Sequence, residues 1–454
     1  MLSPTDPHAP GTPDPRGLDL KPELLAEASE RVHAATGSHA ASQAVDRLLR
    51  NTAQTTVRLT GEDTFVITGD IPAMWLRDSS AQLAPLLRLG ALDPSLLEVV
   101  AGLLRRHWAM IRIDPYANAF NEEPNGARWD DDEPLPGPWV WERKWEIDSL
   151  AFPLDLAARL TTLGSRSWID AHTYPALAAV IDVLETEQDH EARSGYTFTR
   201  TDCPATDTLV RAGRGRKTRP CGLVWSGFRP SDDACELGYN VPGNAFAAQA
   251  LAALSGLIPV VLREQGGADV ADLAGRAARL SAAITEGLRE QAIIRHGTSH
   301  EILAYEVDGA GETLFLDDAN MPSLLSLPYL GAIAADSSLY RNTRAAVLLP
   351  QNPYYVSGSV LRGVGSPHTP AGHVWHIALA VQGLTSTDRD ERLGLLHTLL
   401  DSTGGTGYMH EGVHADDPST YTRPWFSWAN AMFCELALDI AGLPRPGTGA
   451  DPLL

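Results

Sequence analysis

Six times along the chain, a polar loop carrying charged and aromatic residues runs straight into an apolar, helix-prone segment, and this recurrence constrains the fold more than any other feature. The junctions are Ile71–Gln82 (IPAMWLRDSSAQ), Arg143–Leu150 (RKWEIDSL), Trp225–Phe246 (WSGFRPSDDACELGYNVPGNAF), Leu316–Leu327 (LDDANMPSLLSL), Ser366–Leu379 (SPHTPAGHVWHIAL) and Arg423–Phe433 (RPWFSWANAMF). Between them lie Leu96–Ile113, Trp168–Glu187, Val270–Ile293 and Glu391–Leu400, each with apolar residues near i, i+3, i+4 and i+7. Small residues, as in Ala247–Leu254 (AAQALAAL), let helices approach closely and suit an inner layer. The alternation predicts helix pairs, an inner helix after each polar loop and an outer amphipathic helix returning the chain. Six pairs in a ring make an all-α fold, an (α/α)6 barrel, with all inner helices starting at one rim. The six loops would then meet in one cleft, where helix N-termini leave N–H donors free.

Strand signals are short. Thr55–Thr68 reads as a hairpin with a Gly-Glu-Asp turn, Tyr196–Thr199 and Gly222–Trp225 as a second short pair, and Ile302–Leu316, with an internal Asp-Gly, as a third. These are expected as decorations of the rim. The Pro-rich segment Asn118–Trp141 is too long for an ordinary connection, and its Trp129, Trp139 and Trp141 argue for a wall of the cleft that stacks on a ligand. Residues 1–20, rich in Pro and without an apolar core, are expected to be a disordered tail, and 21–446 a single catalytic domain.

The formal charge of −21 disfavours phosphate backbones and anionic membranes, so neither nucleic acid nor a membrane is expected as a partner. No run of about 18 apolar residues stands out as a spanning helix. Cys203, Cys221, Cys235 and Cys434 form no CxxC pair and are expected as reduced thiols, which agrees with a cytoplasmic location. A monomer or a weak homodimer is expected.

The junction loops concentrate carboxylates beside aromatic rings: Trp75 with Arg77 and Asp78, Trp145 with Glu146 and Asp148, Trp225, Phe228 and Arg229 with Asp232 and Asp233, Asp317 and Asp318 with Asn320, Glu411 among Tyr408, His410 and His414, and last Trp425 with Trp428. Rings that stack on C–H edges, with charged and amide groups that grip hydroxyls, are what a sugar site needs. Glycoside cleavage requires a proton for the leaving oxygen and a carboxylate that activates water. In Ser231-Asp232-Asp233 two adjacent acids can raise one another's pKa, although the same residues also serve as a helix cap. His410-Glu411-Gly412-Val413-His414 spells H-E-x-x-H, but the flanking glycines and Pro418 place it in a loop rather than on the helix a zinc site requires. His373 and His376 are read as three apart on one helix, without a third metal ligand. Gly213–Lys217 is a surface loop rather than a phosphate cradle. No metal and no cofactor are expected.

The segments GDIPAMWLRDSSAQ, RKWEIDSL, WSGFRPSDDA, LDDANMPSLLSLPYLG, GSPHTP, GYMHEGV and RPWFSWANAMF together resemble glycoside hydrolase family 125, the exo-α-1,6-mannosidases, over roughly residues 40–440. The resemblance implies the barrel, removal of terminal α-1,6-linked mannose from an oligosaccharide, inversion of configuration and no metal. It places the general acid on the Asp232-Asp233 pair, Asp233 ahead of Asp232, and the general base on Glu411. Trp75, Arg77, Asp78, Glu146, Asp148, Arg229, Asp232, Asn240, Asp318, Asn320, His368 and Trp425 would bind the substrate. The segment Tyr239–Asn244 (YNVPGN) is where variation is expected, next to the following sugar. Two other readings remain: a barrel-type sugar epimerase or lyase, which needs no hydrolytic water at Glu411, and a glycan-binding protein without activity.

Overall fold

The computed structural model describes residues 11–261, 268–295 and 300–454. Helix makes up 44 % of the chain, and the strands are all four residues or shorter. Five helices follow the polar junctions: Leu76–Gln82 with its continuation Ala84–Leu89, Ile147–Thr162, Val241–Val261, His376–Leu384 and Ser427–Ile440. They are buried on nearly every side, as in Ile147–Thr162, where every residue but the last is buried, and Leu76–Gln82 is wholly buried although most of its residues are polar. The amphipathic segments form a second layer, observed as Leu96–Ile111, Thr173–Glu187, Ala268–Gln291 and Arg389–Asp401. Among the inner helices, Leu76–Gln82 packs on both Ile147–Thr162 and Ser427–Ile440, Ile147–Thr162 packs on Val241–Val261, and Ser427–Ile440 packs on His376–Leu384.

The fourth junction departs from expectation. Residues 319–334 turn repeatedly and form no α-helix. Pro322 and Pro328 each remove a donor, while the Asp317 carboxylate accepts Leu324 N–H at 2.7 Å and Leu325 N–H at 3.1 Å, and Ser323 and Ser326 accept each other's amides. Side chains take the hydrogen bonds that a helix would have used. The compact turns still bury Leu324, Leu325, Leu327 and Leu330.

Val241–Pro259 has the length and hydropathy of a membrane-spanning helix, contrary to the expectation from the sequence, but 78 % of it is buried against the protein's own helices. It is the core helix between Ile147–Thr162 and Ala268–Gln291.

Short strands lead directly into inner helices. Met74–Trp75 pairs with Ala119–Phe120, Tyr239–Asn240 with Glu306–Val307, and His373–Trp375 with Gly412–His414. The residues before three helices, Trp75, Glu146 and Trp375, are extended and make no side-chain cap. The first amides of these helices donate instead to Asn118 O, Ser226 Oγ and Glu411 O. The hairpin is Val57–Thr60 with Asp63–Val66, and Glu306–Val307 pairs with Thr313–Leu314 across the Asp308-Gly309 turn. Tyr196–Thr199 does not pair with Gly222–Trp225; Thr199 bridges Glu133 instead.

The expected tail is shorter than its proposed bounds. Residues 1–10 lie outside the described residues. Residues 11–20 are fastened to the body: Asp14 and Leu18 donate to the carbonyls of Gln54 and Ala53, and Leu20 is buried. The body also extends past residue 446, since Leu453 and Leu454 donate to Ala332 O. All four cysteines are free thiols.

Candidate active site

A cavity of about 370 Å³ opens at the end where the inner helices begin, within the range of small-molecule sites. Asp232 and Asp233 from the third junction and Glu411, immediately before the Gly412–His414 strand, all line it. Trp75, Arg77 and Asp78 line it from the first junction, with Asn320 and His368 opposite. Four buried polar atoms of lining residues have no hydrogen-bond partner within the protein: Trp75 Nε1, Trp428 Nε1, Asn320 Oδ1 and Arg77 Nε, the last 3.5 Å from Asp78.

Arg77 organises the floor. Its guanidinium meets Glu146 at 2.5 Å, Asp148 at 3.1 Å, Asp232 at 3.3 Å and Asp78 at 3.5 Å, and it is almost wholly buried. Arg77 alone does not neutralise four acids, three of them buried, so burial decides which of them hold their protons. Burial pushes the Glu146 carboxyl well up despite Arg77, and Asp78 is pushed by burial to about 6. Burial also acts on Asp232, but Arg77, a hydrogen bond from Glu146 and Lys144 outweigh it and hold this carboxyl below the usual range. Asp232 is thereby an anion in the free site. Its backbone is left-handed, with φ 68°, a strained conformation for a residue other than glycine.

Asp233 has different company. Ser231 Oγ donates to Asp318 Oδ2 at 2.7 Å and lies 3.4 Å from Asp233 Oδ2, so a hydroxyl stands between two carboxyls. Asp318 is pushed up by burial and by the charge of Asp233. His368 Nδ1 is 3.7 Å from Asp233 Oδ1. Burial opposes its protonation, but Asp233 and Glu411 raise the ring to about 9, so it is a cation at neutral pH. Glu411, 7 % exposed, accepts from Thr422 Oγ1 at 3.0 Å and faces Arg423 Nη1 at 3.8 Å. Arg423 is in turn held by Asp70.

Eight of the predicted positions line the cavity: Trp75, Arg77, Asp78, Asp232, Asp233, Asn320, His368 and Glu411. The others do not. Glu146 and Asp148 stand behind Arg77 and set its position. Arg229 is bound to Glu306 at 2.5 Å, and Asp318 stands behind Ser231. Asn240 accepts Gly243 N–H at 2.8 Å at the start of a helix, and Tyr239–Asn244, predicted to shape the next sugar's site, is buried in the same place. Trp425 is buried close to Gly11 and Gly69, whereas Trp428, the second residue of the next helix, lines the cavity. His373 ends up on a strand and His376 at the start of a helix, so they do not share a helical face. His376 is buried and neutral, bonded to Ser402 and to His410 N–H. The H-E-x-x-H stretch enters a strand, which turns His410 and His414 to different partners.

Among the residues overlooked in the sequence are Lys144, Asp207, Trp375, Arg423 and Phe426, all lining the cavity. Lys144 is the most informative: almost fully buried, it donates to Asp207 and, at 2.8 Å, to Asp232 O. A lysine inside the junction RKWEIDSL was the available signal, since buried lysines are kept only when paired. Asp207 carried no such signal, because it lies outside every junction.

Comparison with known proteins identifies the family. A family model described as metal-independent α-mannosidase (GH125) matches residues 39–438. The meiotically up-regulated gene 157 protein of Schizosaccharomyces pombe is 40 % identical over 425 residues, covering 87 % of this chain and 81 % of the relative. A Streptococcus pneumoniae structure, described as a metal-independent α-mannosidase in a non-productive complex with α-1,6-mannobiose, is 40 % identical with a TM-score of 0.88, covering 93 % of this chain and 99 % of the other. A bacterial glucoamylase complexed with acarbose shares only the fold, at 12 % identity and a TM-score of 0.52, covering 90 % of this chain and 56 % of the other. On the family match and the two 40 % relatives, this chain belongs to the metal-independent α-mannosidase family GH125.

Proposed function

We propose that this protein is an inverting, metal-independent exo-α-1,6-mannosidase whose inner helices, with the turns at 319–334, close as an (α/α)6 barrel around the cleft. The observation that carries the reading is that two adjacent acids and a distant carboxylate, Asp232, Asp233 and Glu411, line one cavity. Asp233 is the general acid. Asp232 suits that role less well, because Arg77 and Lys144 keep it ionised. The Ser231 hydroxyl and Asp318 give Asp233 a proton-bearing neighbour. The protonated His368 ring, 3.7 Å from Asp233 Oδ1, supplies that carboxyl with the proton it hands to the leaving oxygen. Glu411, oriented by Thr422, takes a proton from the water that attacks the opposite face of the sugar. Arg77, Asp78, Trp75 and Trp428 hold the terminal mannose. The mannobiose bound to the Streptococcus pneumoniae relative supports an α-1,6-mannoside as substrate here.

Inversion predicts that α-1,6-mannobiose first releases β-mannose. NMR of the anomeric protons in the first minutes of reaction reads this directly, and initial α-mannose removes the mechanism. An epimerase or lyase would accumulate no new reducing ends.

The His368 ring sets a second expectation. Its protonated form is favoured by Asp233 and Glu411, so that contribution is complete below the ordinary imidazole value and is lost as pH rises through about 9. The kcat/KM profile is expected to fall on its basic side near pH 9, and His368→Gln is expected to abolish that limb. An unchanged basic limb in the variant excludes His368 from the reaction.

A further inference from the structure

We propose that Trp129 is a stacking platform for the sugar on the leaving-group side of the scissile bond. The residue is 53 % exposed, making it the only aromatic among the large exposed hydrophobics of the described residues, yet it also lines the catalytic cavity. A tryptophan left open to water beside a sugar site has an unfilled apolar face, and stacking on the C–H face of a pyranose covers it.

Its support is rigid. Trp129 N–H donates to Trp141 O at 3.0 Å, Asn121 Nδ2 binds the carbonyls of Ala127 and Pro138, and Glu133 and Thr199 exchange both backbone hydrogen bonds at 2.9 Å. Asp132, three residues on, is buried in a two-bond pair with Arg200 at 2.7 and 3.0 Å. The backbone on either side of the indole is therefore held, and the ring is presented at a fixed place without a loop having to be ordered on binding. Depth decides which sugar it meets. The carboxylates around Arg77 form the buried floor, where an exo enzyme holds the terminal residue. The exposed ring belongs to the mouth, where the next residue leaves. Asp207, held by Lys144 and by Arg200 at 2.8 Å, also lines the cavity and offers that second ring a hydroxyl acceptor.

The proposal rests on the mannosidase reading, and the experiment separates the two. Initial rates are measured on α-1,6-mannobiose, which has a leaving sugar, and on α-mannosyl fluoride, which has none. If the wild-type protein cleaves neither, the mannosidase reading fails. If it cleaves both, the ratio of kcat/KM for mannobiose over the fluoride is expected to fall about tenfold in Trp129→Ala, mainly through KM, and to be largely kept in Trp129→Phe. An unaltered ratio in Trp129→Ala overturns the proposal, and so does an equal loss on both substrates, the signature of a merely structural role.

Discussion

Replacing Glu411 with Gln is expected to lower kcat on α-1,6-mannobiose by about 10²–10⁴-fold, with a much smaller change in KM. The amide keeps the size of the side chain and an oxygen that can accept from Thr422 Oγ1, but it cannot take a proton from water. The loss is expected to be equally large on α-mannosyl fluoride, because every substrate needs the activated water. Asp233→Asn is expected to behave differently. It should be severe on mannobiose, whose leaving oxygen needs a proton, and mild on the fluoride, whose leaving group does not. Asp232→Asn, which weakens the contact with Arg77, should cost the same on both substrates. Wild-type rates in Glu411→Gln sink the assignment of the base. A leaving-group dependence in Asp232→Asn rather than Asp233→Asn moves the acid to its neighbour.

Arg77→Met is expected to destabilise the fold by about 3–5 kcal/mol, a typical cost of removing one partner from a buried ionic group. Four carboxylates within 3.5 Å of the guanidinium lose their common cation, and Glu146 and Asp148 have almost no exposure to water. The sign of the pH dependence follows. Arg77 acts to lower these acids, so without it they bind protons at higher pH, and the variant's deficit shrinks as the medium is acidified. Urea midpoints compared at neutral and acid pH check this. A constant deficit across that range points to lost packing against Trp428, over which the guanidinium lies at 5.8 Å, rather than to charge.

The positions just described show where reading the chain worked and where it stopped. The junction WLRDSSAQ identified Arg77 and Asp78 as residues of the cleft because their place, immediately before an apolar helix, is a local property. The same rule also selected Glu146 and Asp148, since nothing local distinguishes an acid that faces the sugar from one that faces the arginine behind it. Trp425 and Trp428 pose the same problem three residues apart: one packs by Gly69 and the other lines the cavity, and only the direction of the Ser427–Ile440 helix separates them.

The sequence by itself determined the helical layers, through apolar periodicity, and the acids and rings at the loop-to-helix junctions, through their chemistry. It also pointed to the family. Tertiary structure decided the rest. It brought Asp207 and Arg423 to the cavity, assigned Asp317 to holding turns where a helix was expected, and gave two neighbouring aspartates opposite surroundings. The physical reason is range: periodicity and capping act over a few residues, whereas the charge state of a buried carboxyl depends on groups that lie far away in the chain and meet only when the fold is complete.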